Sequence, residues 1–212
     1  MAGKIDQGNR GEATGGKQMD GFALTITDLL LSNGVPAEHI HVKRSLTVLP
    51  GFYRATKNYD FLVVDPQRKL LKAVIELKSL VGPSFGNNLN NRIEEALGAA
   101  SDIWTAHREQ TFGAGPAPWL GYLFLLEETH TSTSPVRLAT LQHFSVRQEF
   151  SNSSYAQRSA LFCRKMVLER QYNAACLLLS KRDEVQQRPN YTEPAADLTA
   201  QAFLSDLLRH AQ

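Results

Sequence analysis

Cysteine is scarce in this chain of 212 residues: there are two, Cys163 and Cys176, both inside apolar stretches. Neither stands in a Cys-x-x-Cys or Cys/His ligand spacing, so a disulfide framework and a zinc site are set aside and buried free thiols are expected. No apolar run approaches the ~20 residues that span a bilayer. The opening segment, MAGKIDQGNRGEATGGKQ, is polar and glycine-rich and lacks the apolar centre of a signal peptide. A cytoplasmic protein is expected, with no membrane partner. Net charge is also small, at +2, too little to argue for a polyanionic partner by itself. Internal repeats and composition shifts are absent. Residues 1–212 therefore read as one domain, with a glycine-rich lead-in at 1–17 and a helical extension at 183–212.

What charge there is lies unevenly. From His39 to Tyr59 there are Lys43, Arg44, Arg54 and Lys57 and no acid, and a second basic excess covers 151–182. Such patches suit a polyanion, and they suit a solvated surface equally. Apolar spacing predicts a helix carrying Met19, Phe22, Ile26, Leu29 and Leu30, stopped by Asn33-Gly34. Strands are predicted at 40–49, 59–64 and 70–78, the last two forming a hairpin about Pro66–Lys69. A loop, a long helix from about Asn90 to Glu109 and a buried strand at 119–126 follow. A mobile loop at 128–135, a basic helix near 154–172, a strand at 174–179 and a last helix carrying Phe203, Leu204, Leu207 and Leu208 complete the chain. The fold class is α/β, a central mixed sheet flanked by helices.

The hairpin carries the chemistry. Glu76 and Lys78 sit at i and i+2 on one strand, so they share a face, while Val74, Ile75 and Leu77 make it a core strand. Charges there are costly unless paired or bound to a metal. A Glu–Lys ion pair alone would satisfy both, but it leaves a further carboxylate unexplained. If the turn centres on Gln67–Arg68, residues whose numbers sum to roughly 135–136 face each other, placing Asp60 opposite Ile75 or Glu76, within ~5–8 Å. Asp65 falls too far along the strand and instead begins the turn. Two carboxylates and an ammonium make a site for Mg²⁺, with Asp60 and Glu76 as ligands. Lys78 would orient or deprotonate the attacking water and offset charge on the phosphorane. Asp followed sixteen positions later by Glu-x-Lys is the PD-(D/E)XK nuclease signature, here with Asn58-Tyr59 in place of the proline. The order of elements matches that core. Asp20 and Glu12, on or before the first helix, are candidate extra acids, while Glu94 and Glu95 suit the opening of the long helix.

After Lys78 comes a run with Asn87, Asn88, Asn90, Asn91 and Arg92. One asparagine can cap the helix. The rest are amide donors and acceptors beside a phosphate-cutting centre, where Asn suits adenine and Arg suits guanine. The stretch IELKSLVGPSFGNNLNNRIEEALGAASDIWTAHRE, with GGKQMDGF before it and PWLGYLFLLEE after it, resembles the XhoI family of type II restriction endonucleases. The resemblance implies a PD-(D/E)XK fold, Mg²⁺-dependent cleavage of duplex DNA at a CTCGAG-like palindrome, a homodimer, and a DNA methyltransferase encoded nearby. It implies Asp60, Glu76 and Lys78 as the catalytic set. DNA contacts are then expected from the asparagine run with Arg92, from Lys43, Arg44, Arg54 and Lys57, and from the lead-in.

Two further readings stand beside this one. A repair or recombination nuclease of the same fold would prefer branched or damaged DNA. A catalytically silent DNA-binding module would have no need of three charges on a core hairpin.

Overall fold

The computed structural model describes residues 6–181 and 191–211, with side chains described from Met19 onward. Helix α1 (Asp6–Ser32) starts well inside the segment read as a glycine-rich lead-in. Met19, Phe22, Ala23, Ile26 and Leu30 form its buried stripe. It ends where Gly34 takes φ +85° and the Val35 amide closes on the Leu30 carbonyl, a left-handed cap that glycine permits.

The single strand expected over 40–49 is two strands in different sheets. Strand β1 (Ile40–His41) edges the main sheet, and β2 (Val48–Pro50) pairs with β3 (Thr56–Asn58) in a separate ribbon. The break is a turn in which the Leu46 amide donates to the Lys43 carbonyl. Strands β4 (Phe61–Asp65) and β5 (Leu70–Leu80) form the expected antiparallel hairpin. Helix α2 (Phe85–Arg108) then crosses to β6 (Trp119–Glu127), which runs parallel to β5.

The stretch 128–135, expected as a mobile loop, holds a short helix α3 (His130–Thr133) with a reciprocal Thr129–Ser132 capping box. Helix α4 (Tyr155–Leu168) has the same device in Ser154 and Gln157. It stops short of residue 172 because Arg170 turns to φ +54°. Strand β7 (Ala174–Ser180) pairs parallel to β6, β8 (Tyr191–Thr192) adds an antiparallel edge, and α5 (Ala200–Ala211) closes the chain.

The sheet order is β1-β4-β5-β6-β7-β8. Its side chains alternate as the pleat requires. Leu62, Val74, Leu80, Tyr122, Phe124 and Leu177 face the layer of α2 and α4, and Phe61, Val63, Ile75, Leu123, Cys176 and Leu178 face the layer of α1 and α5. Helix α5 is therefore packed into the core sandwich. Phe203 and Leu207 are buried, with the Phe203 ring 5.3 Å from that of Trp119. This apolar face is used inside the protomer; residues 183–190 and 212 of the stretch expected as an extension lie outside the described residues. Both cysteines are free and buried, and burial pushes both thiols up in pKa. Among the described residues no helix is long and apolar enough to cross a membrane.

Candidate active site

The hairpin register puts Phe61 opposite Ile75, Leu62 opposite Val74 and Val63 opposite Ala73. A bulge between Val63 and Val64 then shifts the pairing by one, so that Asp65 meets Leu70. One step beyond the Phe61–Ile75 pair lies Asp60, beside Glu76. Glu76 and Lys78 share the α2/α4 face because they are two apart, and the register brings Asp60 to the same edge. Asp60 Oδ2 accepts the Leu77 amide at 2.9 Å and the Lys78 ammonium. Lys78 Nζ also stands 2.5 Å from Glu76 Oε2. Glu76 is buried, whereas about a third of the Asp60 side chain is exposed, so the cluster opens to solvent on the Asp60 side.

Burial drives the Glu76 carboxyl up in pKa, against the pull of Lys78 and Lys57. Burial would also raise Asp60, but the charge and hydrogen bond of Lys78 more than reverse it and hold Asp60 low. For Lys78 burial favours the neutral amine, and the two carboxylates outweigh that and hold its pKa above the usual lysine value. Lys78 is thus a cation in this arrangement.

Lys57, expected on the basic DNA-facing surface, points inward. Strand alternation on β3 turns Thr56 and Asn58 out and Lys57 in. Its Nζ reaches Glu76 Oε1 at 2.5 Å and lies 4.3 Å from the centre of the Tyr59 ring. Glu76 is therefore flanked by two ammonium groups. Asp65 begins the hairpin turn as expected, accepting the Gln67 amide at 3.1 Å and the Arg68 amide at 3.0 Å.

Asn87 and Asn88, expected in the loop before the helix, lie on the helix together with Asn90 and Asn91. Helix α2 begins at Phe85, so Asn87, Asn88, Asn90, Asn91 and Arg92 fill its first turns; Ser84 is at the cap position, and no side chain caps the end. Glu94 and Glu95 accordingly sit in the third turn rather than at the opening, and Glu95 pairs with Arg92 at 2.6 Å. By helical spacing Asn87, Asn88 and Asn91 share the face that carries Asp102 three to four turns later. Asn90 instead turns toward α4 with Leu89 and Ile93, along a groove that Phe162 and Met166 also line. Lys43 and Arg44 are exposed, and Arg54 is half-exposed. Asp20 is exposed on α1, whose buried face packs on the opposite side of the sheet, so it does not join the cluster. The Glu12 side chain lies outside the described residues. Among the described residues no three His, Cys, Asp or Glu come together.

Asp102 escaped the reading of the sequence. It is fully buried, its Oδ1 accepting the Phe52 and Tyr53 amides at 2.8 Å each and its Oδ2 pairing with Arg54 Nε at 3.1 Å. The one signal available beforehand was an acid within the apolar stretch Ala99-Ala100-Ser101-Asp102-Ile103-Trp104.

Comparison with known proteins shows the family. The family model for restriction endonuclease XhoI matches residues 1–193. The chain belongs to the XhoI restriction endonuclease family. It is 54% identical over 208 residues to the type II restriction enzyme BstVI of Geobacillus stearothermophilus, covering 97% of this chain and 92% of that one. It is 48% identical over 143 residues to the type II restriction enzyme AbrI of Azospirillum brasilense, covering 68% and 63%. It is 44% identical over 163 residues to the type II restriction enzyme XhoI of Xanthomonas vasicola, covering 76% and 64%. No solved structure matches. Family membership makes the chain an endonuclease of a restriction system, a hydrolase acting on DNA, and enzymes of this type generally need a divalent metal ion.

Proposed function

We propose that this XhoI-family chain is a PD-(D/E)XK nuclease that makes Mg²⁺-dependent double-strand cuts in duplex DNA at a short palindrome. One observation carries the reading: two carboxylates and an ammonium from neighbouring strands meet at one partly open edge of an otherwise apolar sheet. Isolated buried charge is expensive, and folding alone gives no reason to gather Asp60, Glu76 and Lys78 there.

The residues suit a hard divalent cation. Glu76 Oε2 is buried and has no hydrogen-bond donor, its contact with Lys78 being an ion pair outside hydrogen-bond geometry. Mg²⁺ takes one or two carboxylates and keeps water and phosphate oxygens for its other positions. Asp60 and Glu76 would hold it. When bound, the ion supplies polarisation of the phosphoryl group and acidification of a coordinated water.

The chain's own groups do the rest. The Leu77 amide fixes the Asp60 carboxylate, and β5 holds Glu76 in register with it. Lys78, kept protonated, orients a water for attack on phosphorus and offsets charge that develops on the phosphorane oxygens. The Asn-bearing start of α2, with Lys43, Arg44 and Arg54, lies against the duplex; the contact expected from the lead-in falls on side chains outside the described residues.

Two-fold symmetry of the substrate calls for a homodimer with one centre per strand. CTCGAG is the site that the family resemblance suggests, and a partner DNA methyltransferase, with cytoplasmic residence, completes the system. Plasmid digestion with Mg²⁺, with run-off sequencing of the ends, tests the reading. Linear product with fixed ends supports it. Cutting that persists in excess EDTA removes the metal site, and a monomer in light scattering that makes only nicks removes the dimer.

A further inference from the structure

The ribbon β2–β3 is small and tightly held. Its tip spans residues 51–55, closed by the Gly51 amide on the Ala55 carbonyl at 3.3 Å. At that tip stand Phe52 and Tyr53, 48% and 66% exposed, their rings edge to face with centroids 4.9 Å apart. Single exposed apolar residues are ordinary, but adjacent aromatics on a protruding turn are a local patch.

The way this turn is anchored sets it apart. Asp102 is a charged residue in the middle of α2 with no exposure, and such burial is costly unless every lone pair is used. Here the tip supplies the partners: two backbone amides bond to Oδ1, and the Arg54 guanidinium forms an ion pair with Oδ2 outside hydrogen-bond geometry. The approach is so close that a Cβ on Gly51 would lie 2.6 Å from Asp102 Oδ2 and 2.7 Å from the Arg54 carbonyl, which only glycine avoids. The aromatic tip is therefore fixed to a long core helix. At its other side the ribbon is tied to the cutting centre, because Lys57 on β3 pairs with Glu76. Position relative to the Asp60–Glu76–Lys78 cluster is thus set from two directions.

Charge identifies the occupant. Between His39 and Tyr59 there are Lys43, Arg44, Arg54 and Lys57 and no acid. Lys43 and Arg44 are exposed, and the half-exposed Arg54 leaves part of its guanidinium to solvent. Adjacent exposed aromatics beside Arg54, on a ribbon whose base follows the exposed Lys43 and Arg44, suit a duplex: the cations meet phosphates and the rings meet sugars and bases in a groove.

We propose that the 51–54 turn is a DNA-contacting finger, with Phe52 and Tyr53 making apolar contact in a groove beside the cut, and Asp102 the positioning residue that holds it. This rests on the restriction-enzyme reading above and adds to it a specificity element outside the catalytic cluster.

The test uses the full chain and a fluorescently labelled duplex carrying the sequence found by run-off sequencing. Binding is followed by anisotropy in Ca²⁺ across a salt series. Both aromatic side chains are exposed, so the double variant Phe52→Ala/Tyr53→Ala should fold, and its melting temperature checks that. The finger predicts affinity weakened by roughly tenfold or more with an unchanged slope of log affinity against log salt, since no phosphate contact is lost. Affinity within about twofold of the parent overturns the finger while the parent's own cutting keeps the enzyme reading intact. Loss of dimer in light scattering, with monomer affinity unchanged, overturns it too and assigns the patch to self-association. A parent that neither binds nor cuts any duplex removes the enzyme reading and the finger with it. For Asp102, the Asp102→Asn change is placed in the parent and in the double variant. A positioning role predicts a loss in the parent that shrinks to under about twofold in the double variant, whereas equal losses in both assign Asp102 to general stability.

Discussion

Lys57 Nζ lies 2.5 Å from Glu76 Oε1, so the buried carboxylate proposed as a metal ligand already has a cation on its other oxygen. A divalent ion and the Lys57 ammonium would compete for the same negative charge. Lys57→Met should therefore lower the metal concentration needed for half-maximal cleavage, and metal-free stability should fall because Glu76 keeps only Lys78. A metal titration of the cleavage rate checks the first effect and thermal melting in chelator the second. An unchanged or higher midpoint would count against competition at Glu76.

Asp60→Asn, Glu76→Gln and Lys78→Met should each slow cleavage by about a hundredfold or more, the order expected when a preorganised charge at a reacting centre is removed. Asp65→Ala should retain cleavage at a rate close to the parent, since its carboxylate caps the Gln67–Arg68 turn and lies at the far end of β4. Single-turnover rates on one plasmid decide this. An inactive Asp65→Ala with an active Asp60→Ala would contradict the register.

Much of this site was legible because a strand has period two. Glu76 and Lys78 had to share a face, and the Pro66–Lys69 turn fixed which carboxylate faced them; the observed pairing runs at the expected sum on both sides of the bulge. Burial of the sheet on both faces followed from the unbroken apolar runs of β6 and β7, which leave neither face polar. The β2–β3 ribbon was not legible, because Val42, Leu46 and Val48 read as one apolar run while a turn at Lys43–Leu46 divides them. Asp102 and the inward Lys57 were hidden for a related reason. Their partners are 49 and 50 residues away for Asp102 and 19 away for Lys57, and no local spacing announces such a contact. The start of α2 was misplaced because asparagine is a weak helix former, yet Phe85 and Leu89 bury one face and carry the helix through.

The turn that Asp65 caps should respond to acid. The Arg68 amide foremost, then the charge of His39 and the Gln67 amide, hold the Asp65 carboxyl below its ordinary value of 3.8 against a raising effect of burial. A folded-state pKa below the unfolded one means that Asp65 stabilises the fold above about pH 4, and that this is lost as pH falls through the folded value. Asp65→Asn should therefore lower the melting temperature at pH 7, and the gap from the parent should narrow toward pH 3. A gap that is constant from pH 7 to 3 would mean that the carboxylate's charge plays no part.

The asparagines of α2 make the sharpest case for sequence reading, because the structure removes their local explanation. None caps the helix, and each costs up to ~0.7 kcal/mol of propensity relative to alanine inside it. Asn87 and Asn91 are exposed on the Asp102 face, while Asn90 borders the groove toward α4. If the exposed pair reads bases, Asn87→Ala or Asn91→Ala should lose about 1–3 kcal/mol of discrimination at one base pair and little elsewhere. Asn90→Ala should leave the discrimination profile as it was. Arg92, already tied to Glu95, should behave as a phosphate contact: Arg92→Ala should weaken all duplexes alike and reduce the salt slope by about one. Cleavage of the cognate site is compared with every singly changed site for each variant. A flat profile for Asn87→Ala and Asn91→Ala together would retire base reading by this helix and leave the asparagines as contacts to the DNA backbone.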